Sequence, residues 1–531
     1  MRVETPQPRP FALLFLLLSC ASSAQTVPAS QSEEPIAPIH APFSMPALAR
    51  PVFPDRSFDI RDFGATPGGS VKNTAAIRKA IETAATAGGG RVIIPAGKWL
   101  TGPIHLENNI NLVVSAGAEV LFSQDVKDYL PVVFSRHEDT ECYKYSAFIY
   151  ANGKKNIAVT GGGILNGQGR PWWSFKEERK AAEARVIEMG NDNIPVEQRI
   201  FDGTGGNELR PAFFQPMNCT NVLVEGVTFR YGAFWTITPT YCENVIVRRV
   251  TIVTLGAEGH TPNGDGVDPS SCTNVLIEYC SFDTGDDCIA IKSGRDRDGL
   301  RVARPTENVV VRHCIGLSGH GGIVIGSETS GGVRNVYASD CTFHGTDRIV
   351  RIKTARGRGG VIENMWFERL SADTIQREAI RLNMLYTGTR FPEQPVTRVT
   401  PSIRNIYFSN ISCDYAKAFA VQILGLPEMN VEQVEFSGLR ISSAKGICIV
   451  DARSIRLTNA DVRPDESPVL DLTDVQNVTI DSLSVPPGAD PLIRAGGGKT
   501  TNVLVRHTNT SRAVRPVIRS AGVAADAVRI E

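Results

Sequence analysis

Four short polar motifs lie between residues 263 and 353, each beside a short apolar strand. They are Asn263-Gly264-Asp265, Gly285-Asp286-Asp287, Gly319-His320-Gly321 and Arg351-Ile352-Lys353. Three carboxyl groups, an imidazole and two cations in one place could perform acid-base chemistry on a charged substrate. A Gly-Asp-Asp alone is usually a solvated turn, so the order of the four motifs carries this inference.

Aligning the apolar strands predicts which polar residues become neighbours. The aligned strands are Gly266-Val267-Asp268, Cys288-Ile289-Ala290, Gly322-Ile323-Val324 and Val350-Arg351-Ile352. This alignment makes Asp265, Asp287 and Gly321 equivalent, and it gives Asp286 and His320 the preceding position. Stacked strands lie about 4.8 Å apart, so three carboxyl groups and an imidazole are expected in one patch.

Arg351 and Lys353 lie two residues apart on the fourth strand. Side chains alternate along a strand, so both cations are expected to point outward while Ile352 points inward. Two adjacent outward cations suit a sugar that carries a carboxylate. A neutral sugar would leave both without a partner.

The elements that must position these motifs repeat along the chain as an Asn followed by alternating aliphatic or β-branched residues. Copies start at Asn221, Asn244, Asn274, Asn308, Asn335, Asn364, Asn405, Asn477 and Asn502, with degenerate copies at Asn111, Asn156, Gln433 and Ser454. Most copies are roughly 21 to 34 residues apart, the period of a solenoid coil. Because each strand is too short to form a core alone, neighbouring coils must stack their strands in parallel.

The repeat therefore predicts an all-β fold, a parallel β-helix in which the Asn side chains can form an amide ladder. A β-sandwich with regular turns would give no reason for the repeated Asn. Seven cysteines are expected to stack inside the solenoid, and disulfides stay open for an exported chain. They are Cys219, Cys242, Cys272, Cys280, Cys314, Cys341 and Cys413.

Two segments interrupt or precede the repeats. Residues 73–81 predict a short N-terminal capping helix, with Asn73 as its cap and an apolar face at Ile77, Ala80 and Ile81. This helix would cover the open end of the solenoid. Residues 174–208 break the period, are charged, and predict an insertion with a helix near 176–189.

The N-terminal 24 residues are typical of an export signal. Arg2 and Arg9 precede an apolar run at residues 11–18, and small residues follow. The run is too short to span a bilayer, so we expect cleavage after Ala24, with lipidation at Cys20 as the open alternative. Residues 25–56 are predicted to be a Pro-rich linker, and residues 57–531 a single β-helix domain. The protein is expected to be secreted or periplasmic.

Composition argues against several other classes of protein. Lys plus Arg and Asp plus Glu both number 56, so no global charge suggests nucleic-acid or membrane-surface binding. The eleven Cys include no CxxC pair and no Cys/His cluster with zinc-like spacing. We expect a monomer without a metal or cofactor.

The four motifs, in this order, resemble the signature of the polygalacturonase family, glycoside hydrolase family 28, in its bacterial form. The likeness starts near Ser57 with Asp62-Phe63-Gly64-Ala65 and Gly88-Gly89-Gly90-Arg91-Val92, and it reaches at least Tyr386. Gly264 departs from the family, in which Thr or Ser is common at this position. The resemblance implies a right-handed parallel β-helix and a pectic polysaccharide or oligogalacturonide as substrate.

The resemblance also implies the roles of the site residues. Hydrolysis of α-1,4-galacturonosyl linkages would proceed with inversion, with Asp286 as general acid. Asp265 and Asp287 would activate water, and His320 would tune or shuttle protons. The substrate-binding residues would be Arg351, Lys353, Tyr386 and Asn263.

Two expectations about individual side chains follow. Repulsion from Asp265 and Asp287 should raise the pKa of Asp286 and keep it protonated as the donor. Lys353 should recognise substrate charge rather than stabilise the coil. Exo action is expected because residues 136–145, 174–208 and 293–307 could close one end of the cleft.

Four alternatives remain open at this stage. Rhamnogalacturonan or xylogalacturonan could be the substrate within the same family. A pectate lyase would instead gather Asp265, Asp286 and Asp287 around Ca²⁺. A non-catalytic carbohydrate-binding solenoid would show aromatic stripes on its outer face.

Overall fold

The computed structural model describes residues 34–386, 388, 390 and 392–531. The predicted export signal and Cys20 therefore lie outside the described residues. Within the described ranges, no helix is long and apolar enough to cross a membrane.

The predicted β-helix is confirmed: short strands stack coil upon coil in three rows, and every pairing within a row is parallel. The first row contains the strands that follow the repeated Asn. After Ser57–Asp59 its strands are Gly90–Ile94, Ile110–Val114, Lys155–Gly161, Thr220–Glu225, Glu243–Arg248, Thr273–Glu278, Thr306–Arg312, Val333–Ser339, Val361–Glu368, Ser402–Ser409, Val431–Ser437, part of Arg440–Ser484, Thr501–Arg506 and Val528–Ile530.

The second row follows the first after a short turn in each coil. Its strands are Gly97–Thr101, Ala118–Phe122, Ile164–Asn166, Thr228–Arg230, Thr251–Val253, Ser281–Asp283, Ile315–Ser318, Thr342–Phe343, Ser371–Ile375, the start of Ser412–Leu424 and the start of Arg440–Ser484. The third row carries the polar motifs. Its strands are Ile104–His105, Ile149–Asn152, Phe214–Met217, Ile289–Ile291, Ile323–Ile325, Val350–Lys353, Ile380–Asn383, the end of Ser412–Leu424, part of Arg440–Ser484, Ile493–Gly496 and Val517–Arg519.

The remaining elements are short. The α-helices are Thr74–Thr86, Arg170–Trp173, Phe175–Glu178, Lys180–Asn191 and Asp296–Val302, and the 3-10 helices are Ile60–Phe63, Val126–Tyr129, Val196–Gln198 and Thr510–Arg512. Two hairpins lie outside the rows. They are Val133–His137 with Thr140–Lys144, which Ile200–Phe201 extends, and Leu255–Gly256 with Gly259–His260.

The amide ladder is confirmed. Asn side chains hydrogen-bond from coil to coil through Asn109, Asn156, Asn221, Asn244, Asn274, Asn308, Asn335, Asn364 and Asn405, and again from Asn502 to Asn477. All of these residues have a left-handed backbone, with φ between 53° at Asn156 and 60° at Asn274. Asn tolerates this conformation better than most residues. The early copy therefore begins at Asn109, and not at Asn111 as the repeat predicted.

The core is a continuous column of inward aliphatic side chains. The seven cysteines predicted to stack inside it are buried, and the ten cysteines in the described part of the chain are all free thiols. Stacked Cys242 and Cys272 illustrate the pattern, since the Cys272 Sγ lies 3.4 Å from the Cys242 backbone N.

The predicted capping helix spans Thr74–Thr86 and buries Ile77, Ala80 and Ile81 against the first coils. Asn73 precedes it, but its side chain does not cap the helix. The Asn73 Oδ1 instead accepts from the Thr66 backbone N at 2.7 Å, and its Nδ2 donates to the Val71 carbonyl at 2.9 Å. Asn73 thus fixes the loop before the helix.

Residues 36–53 differ from the linker predicted for 25–56. Their apolar side chains, such as Ile39 and Phe43, pack on outward aliphatic residues of the first row, including Leu223 and Leu276. Arg50 forms an ion pair with Glu225 at 2.8 Å. This stretch is therefore part of the folded unit, which begins at Ile36.

Candidate active site

Register in the third row brings the polar motifs together. Val267 is bridged to Ile289, Ile289 pairs with Ile323, and Ile323 pairs with Val350. This makes Asp265, Asp287 and Gly321 equivalent, and Asp286 equivalent to His320, as the alignment predicted.

The alignment of the fourth strand was wrong by one residue. Arg351 pairs with Val324, whereas the sequence alignment matched it with Ile323. Val350 and Ile352 are the inward pair on this strand, as Ile323 and Ile325 are on the preceding one. The prediction that Arg351 and Lys353 share the outward face nevertheless holds, because Ile352 points into the core.

Asp265, Asp286 and Asp287 form the acid cluster. One carboxylate oxygen of each lies within 4.8 Å of those of the other two. Their side chains are 4%, 18% and 0% exposed, respectively. Asp286 is therefore the one member that opens to the cleft.

Tight turns place these acids at the mouth of the third row. At Gly285, a Cβ would lie 2.1 Å from the His260 ring, so no larger residue fits without a rearrangement. The His260 Nε2 is 2.9 Å from the Gly285 carbonyl oxygen and holds that turn. Asn263, two residues before Asp265, has a left-handed backbone with φ of 52°.

The three acids differ in their partners. Asp287 accepts a hydrogen bond from Lys353 Nζ at 2.6 Å, and Asp286 lies 3.1 Å from His320 Nδ1. Asp265 has an ion-pair distance of 3.6 Å to Lys292 Nζ. Its buried Oδ1 has no hydrogen-bond partner among the described residues.

These environments separate the proton affinities of Asp265 and Asp286. Burial, followed by repulsion from Asp286, raises the pKa of Asp265 to about 8. Burial alone would also raise the pKa of Asp286, but the hydrogen bond and charge of His320, with Lys353 and Lys292, lower it below its ordinary value. Of these two acids, Asp265 therefore has the higher proton affinity in the unliganded protein. The expectation that repulsion raises the pKa of Asp286 is wrong, because the contact with His320 outweighs it.

Lys292, Asp268 and Glu328 are site residues that the sequence reasoning missed. Lys292 Nζ lies 3.8 Å from Asp268 Oδ2 and 3.4 Å from Glu328 Oε2, in addition to its contact with Asp265. The ammonium also lies 4.4 Å from the centre of the Trp235 ring. Register gave a usable signal, because Lys292 and Lys353 occupy equivalent outward positions two coils apart.

Lys353, Arg351 and Tyr386 lie together on later coils. Lys353 is only 8% exposed, and its nearest charge is Asp287. The prediction that Lys353 serves substrate alone is wrong, since it also neutralises a buried carboxylate. Arg351 is 15% exposed, and its guanidinium lies 5.4 Å from the Tyr386 ring. Tyr386 is 38% exposed and is the most accessible of the three.

The comparisons with known proteins agree with this geometry. The family profile of Glycosyl hydrolases family 28 matches residues 199–463, and a profile of Rhamnogalacturonase A/epimerase, pectate lyase-like, matches residues 57–123. The crystal structure of a hyperthermoactive exopolygalacturonase from Thermotoga maritima is 37% identical, with a TM-score of 0.69, over 82% of this chain and 94% of that one. The chain belongs to glycoside hydrolase family 28.

Two curated relatives extend the likeness within family 28. A probable polygalacturonase from Vitis vinifera is 28% identical over 76% of this chain and 77% of its own length. An exo-poly-alpha-D-galacturonosidase from Dickeya chrysanthemi is 25% identical over 81% of this chain and 75% of its own. The protein is thus a polygalacturonase-like glycosidase of family 28.

The acid cluster of this family 28 enzyme also has a spacing that could hold a metal ion. The ammonium groups of Lys353 and Lys292 already lie against Asp287 and Asp265. A divalent cation would therefore have to enter a site in which two buried positive charges oppose it. Acid-base chemistry fits these residues better than cation binding.

The three segments predicted to close the cleft do meet, and together they form what we call the wall. The wall consists of the hairpin at residues 133–144, the helix Lys180–Asn191 and the helix Asp296–Val302. Buried Arg199 links them, donating to the Glu141 carbonyl at 3.0 Å and to Asp298 Oδ1 at 2.8 Å.

The wall is attached directly beside the acid cluster. Arg136 of the hairpin donates to Ser270 Oγ at 2.9 Å, and Ser270 Oγ donates to Asp139 Oδ2 at 2.8 Å. Ser270 is bridged to Lys292, which contacts Asp265. Ser270 lies on the coil of Asp265 itself. On the two preceding coils, Gln215 accepts from Ser135 Oγ and the Tyr241 hydroxyl donates to Glu141, each at 2.7 Å, so the wall covers those coils as well.

Proposed function

We propose that this enzyme hydrolyses α-1,4-linked galacturonan from the chain end, after export from the cytoplasm. The observation that carries the proposal is the asymmetry of the cleft. The wall contacts Gln215 and Tyr241 on the coils before the acid cluster, while Arg351 and Tyr386 lie on coils after it. A polymer could extend past Tyr386 but not beneath the wall.

The positive charges on the open side of the cleft support a galacturonate polymer as the substrate. Arg351 pairs in register with Arg381, so two guanidinium groups stack on the outward face. Glu378 neutralises Arg381 at 3.0 Å, whereas the nearest carboxylate to Arg351 is 3.8 Å away on Asp287. Arg351 is thus the cation best placed to bind a sugar carboxylate. The names of the Thermotoga and Dickeya relatives support exo action as well.

The proposed chemistry assigns roles by accessibility and partner. Asp286 is the most exposed acid and lies at the cleft, so it is the group that can protonate the glycosidic oxygen. Asp265 and Asp287 lie deeper and activate water. The reactive state needs its proton on Asp286, whereas the resting state holds it on Asp265. The two states have equal charge, so the coupled pair titrates as a unit.

Stereochemistry needs a direct test because the acids are close together. Inverting glycosidases usually separate their carboxyl groups by about 6.5–9.5 Å, more than the 4.8 Å within which these oxygens lie. Family resemblance supports inversion nevertheless. Proton NMR of the first product formed from an α-linked substrate should show the β-anomer, and an α-anomer would overturn the assignment.

Exo action is tested by following polygalacturonate digestion by viscosity and by product size together. We expect mono- or digalacturonate from the earliest times, while viscosity falls slowly. The Asp286→Asn variant, purified in the same way, is the control for activity from contaminating enzymes. A rapid fall in viscosity with mixed oligomers would show internal cleavage. Products with a new double bond, formed in buffer that contains no chelator, would show a lyase.

The role of Asp286 is tested with leaving groups of different basicity. Asp286→Asn should lose on the order of 10²-fold or more in kcat on digalacturonate, because it cannot donate a proton. On a nitrophenyl galacturonide the loss should be much smaller, since that leaving group departs without protonation. Asp287→Asn is the control and should impair both substrates alike. Equal losses for Asp286→Asn on both substrates would assign the acid elsewhere.

A further inference from the structure

Arg210 is a buried arginine that links the insertion to the catalytic turn. Its side chain is 1% exposed, and its guanidinium lies 4.7 Å from the centre of the Phe234 ring. Nη1 donates to the Pro262 carbonyl oxygen at 2.8 Å, and Nη2 donates to Asn263 Oδ1 at 2.9 Å. The planar fork thus contacts two successive residues of the turn that leads to Asp265.

Glu183 completes this link from the other side. It belongs to the insertion helix Lys180–Asn191, and its Oε1 accepts from Arg210 Nη2 at 3.1 Å. The same oxygen lies 3.6 Å from His137 Nε2 in the wall. A buried guanidinium is costly without a counter-charge. The Glu183 carboxylate therefore stabilises Arg210 in the position from which it contacts Pro262 and Asn263.

The contact with Arg210 fixes the orientation of the Asn263 amide. Arginine offers only donors, so the amide oxygen must face Arg210 and the two Nδ2 hydrogens must face away from it. The backbone φ of 52° at Asn263 fixes the starting direction of the side chain. Asn263 therefore acts toward the cleft as a hydrogen-bond donor only.

We infer that Glu183 and Arg210 are positioning residues for Asn263, which they hold so that its Nδ2 donates to a sugar oxygen during hydrolysis. This inference rests on the proposed function. It gives the insertion a second task besides closing the cleft, because the insertion helix supplies the charge that orients a substrate contact two residues from Asp265.

A double-mutant cycle on polygalacturonate tests this link. The variants are Glu183→Gln, Asn263→Gly and their combination, and Gly at 263 keeps the left-handed backbone while it removes the amide. Glu208→Gln is the matched control, because Glu208 also pairs with an arginine of the insertion, Arg179, at 2.5 Å and is equally buried. Melting temperatures are measured for every variant.

Glu183→Gln should lower kcat about tenfold with little change in KM, as loss of one charge-assisted contact implies. In the Asn263→Gly background the same substitution should change kcat by less than about twofold, because its target is gone. The control Glu208→Gln should leave kcat near the wild-type value. Equal effects of Glu183→Gln in both backgrounds, or an equal effect of Glu208→Gln, would overturn the inference.

The proposed function and this inference fail in different ways. A wild-type protein without activity on polygalacturonate would refute the function. An active wild type whose Glu183→Gln variant keeps full kcat would refute only the positioning role.

Discussion

Replacing Asp265 by Asn should make the protein more stable while it abolishes activity. The pKa of Asp265 is raised from 3.8 to about 8, first by burial and then by repulsion from Asp286. Its Oδ1 is buried without a hydrogen-bond partner among the described residues. Ionising this side chain in the native state is therefore costly, and an amide of the same shape does not ionise.

The size of the effect follows from linkage. A carboxyl with a raised native pKa keeps its proton when the unfolded chain has lost it, so stability is fully present below pH 3.8 and falls until about pH 8. The slope is about 1.4 kcal/mol per pH unit for one proton. From about pH 5 to about pH 7.5 the wild type should lose at most about 3 kcal/mol that Asp265→Asn keeps.

Urea unfolding at these two pH values measures the difference. Asp265→Asn should be the more stable protein at both pH values, and its advantage should be about 3 kcal/mol larger near pH 7.5 than near pH 5, because the unfolded wild-type side chain is ionised above pH 3.8 while the native one keeps its proton up to about pH 8. Asp287→Asn is the control with the opposite sign, because it leaves buried Lys353 without its partner at 2.6 Å and should destabilise at both pH values. If Asp265→Asn is destabilised as much as Asp287→Asn, the proton does not reside on Asp265.

Three further outcomes are expected. In pH-rate measurements, kcat/KM should fall above about pH 8, because the Asp265 and Asp286 pair then holds no proton to donate; a rate that still rises there would contradict this. Lys353→Met should lower stability by about 3 kcal/mol in urea titration as well as kcat/KM, since it breaks a buried pair, whereas unchanged stability would leave Lys353 a substrate contact only. Lys292→Met should move the alkaline limb to higher pH, because Lys292 lowers the pKa of Asp265, and Lys292→Arg should move it less; an unshifted limb would exclude this role.

Periodicity was sufficient to predict the fold and the acid cluster. The repeated Asn marks a left-handed turn in each coil, and the alternation that follows it separates inward from outward side chains. Counting from the inward residues Val267 and Ile289 makes Asp265 and Asp287 neighbours. Strand register alone therefore predicts that these acids are neighbours, and the structure of the loops is not needed for this prediction.

The strand repeat could not predict contacts between loops that are distant in the sequence. Arg210 lies outside the repeat, and nothing in its local sequence identifies Glu183, Pro262 and Asn263 as its partners. Composition was also misleading for residues 36–53, because Pro-rich sequence can still dock apolar side chains such as Phe43 in an extended conformation. In both cases the partner is tens to hundreds of residues away.

The pKa of Asp286 shows why a cluster of like charges cannot be assigned by counting acids. Each of the three carboxylates has a different cation: Lys353 for Asp287, His320 for Asp286, and Lys292, at a longer distance, for Asp265. The contact with His320 lowers the pKa of Asp286, whereas burial raises that of Asp265, whose cation lies farther away. A sugar that displaces the half-exposed His320 would remove the cation that holds Asp286 ionised. Substrate binding itself could then move the proton toward the acid that faces the glycosidic oxygen.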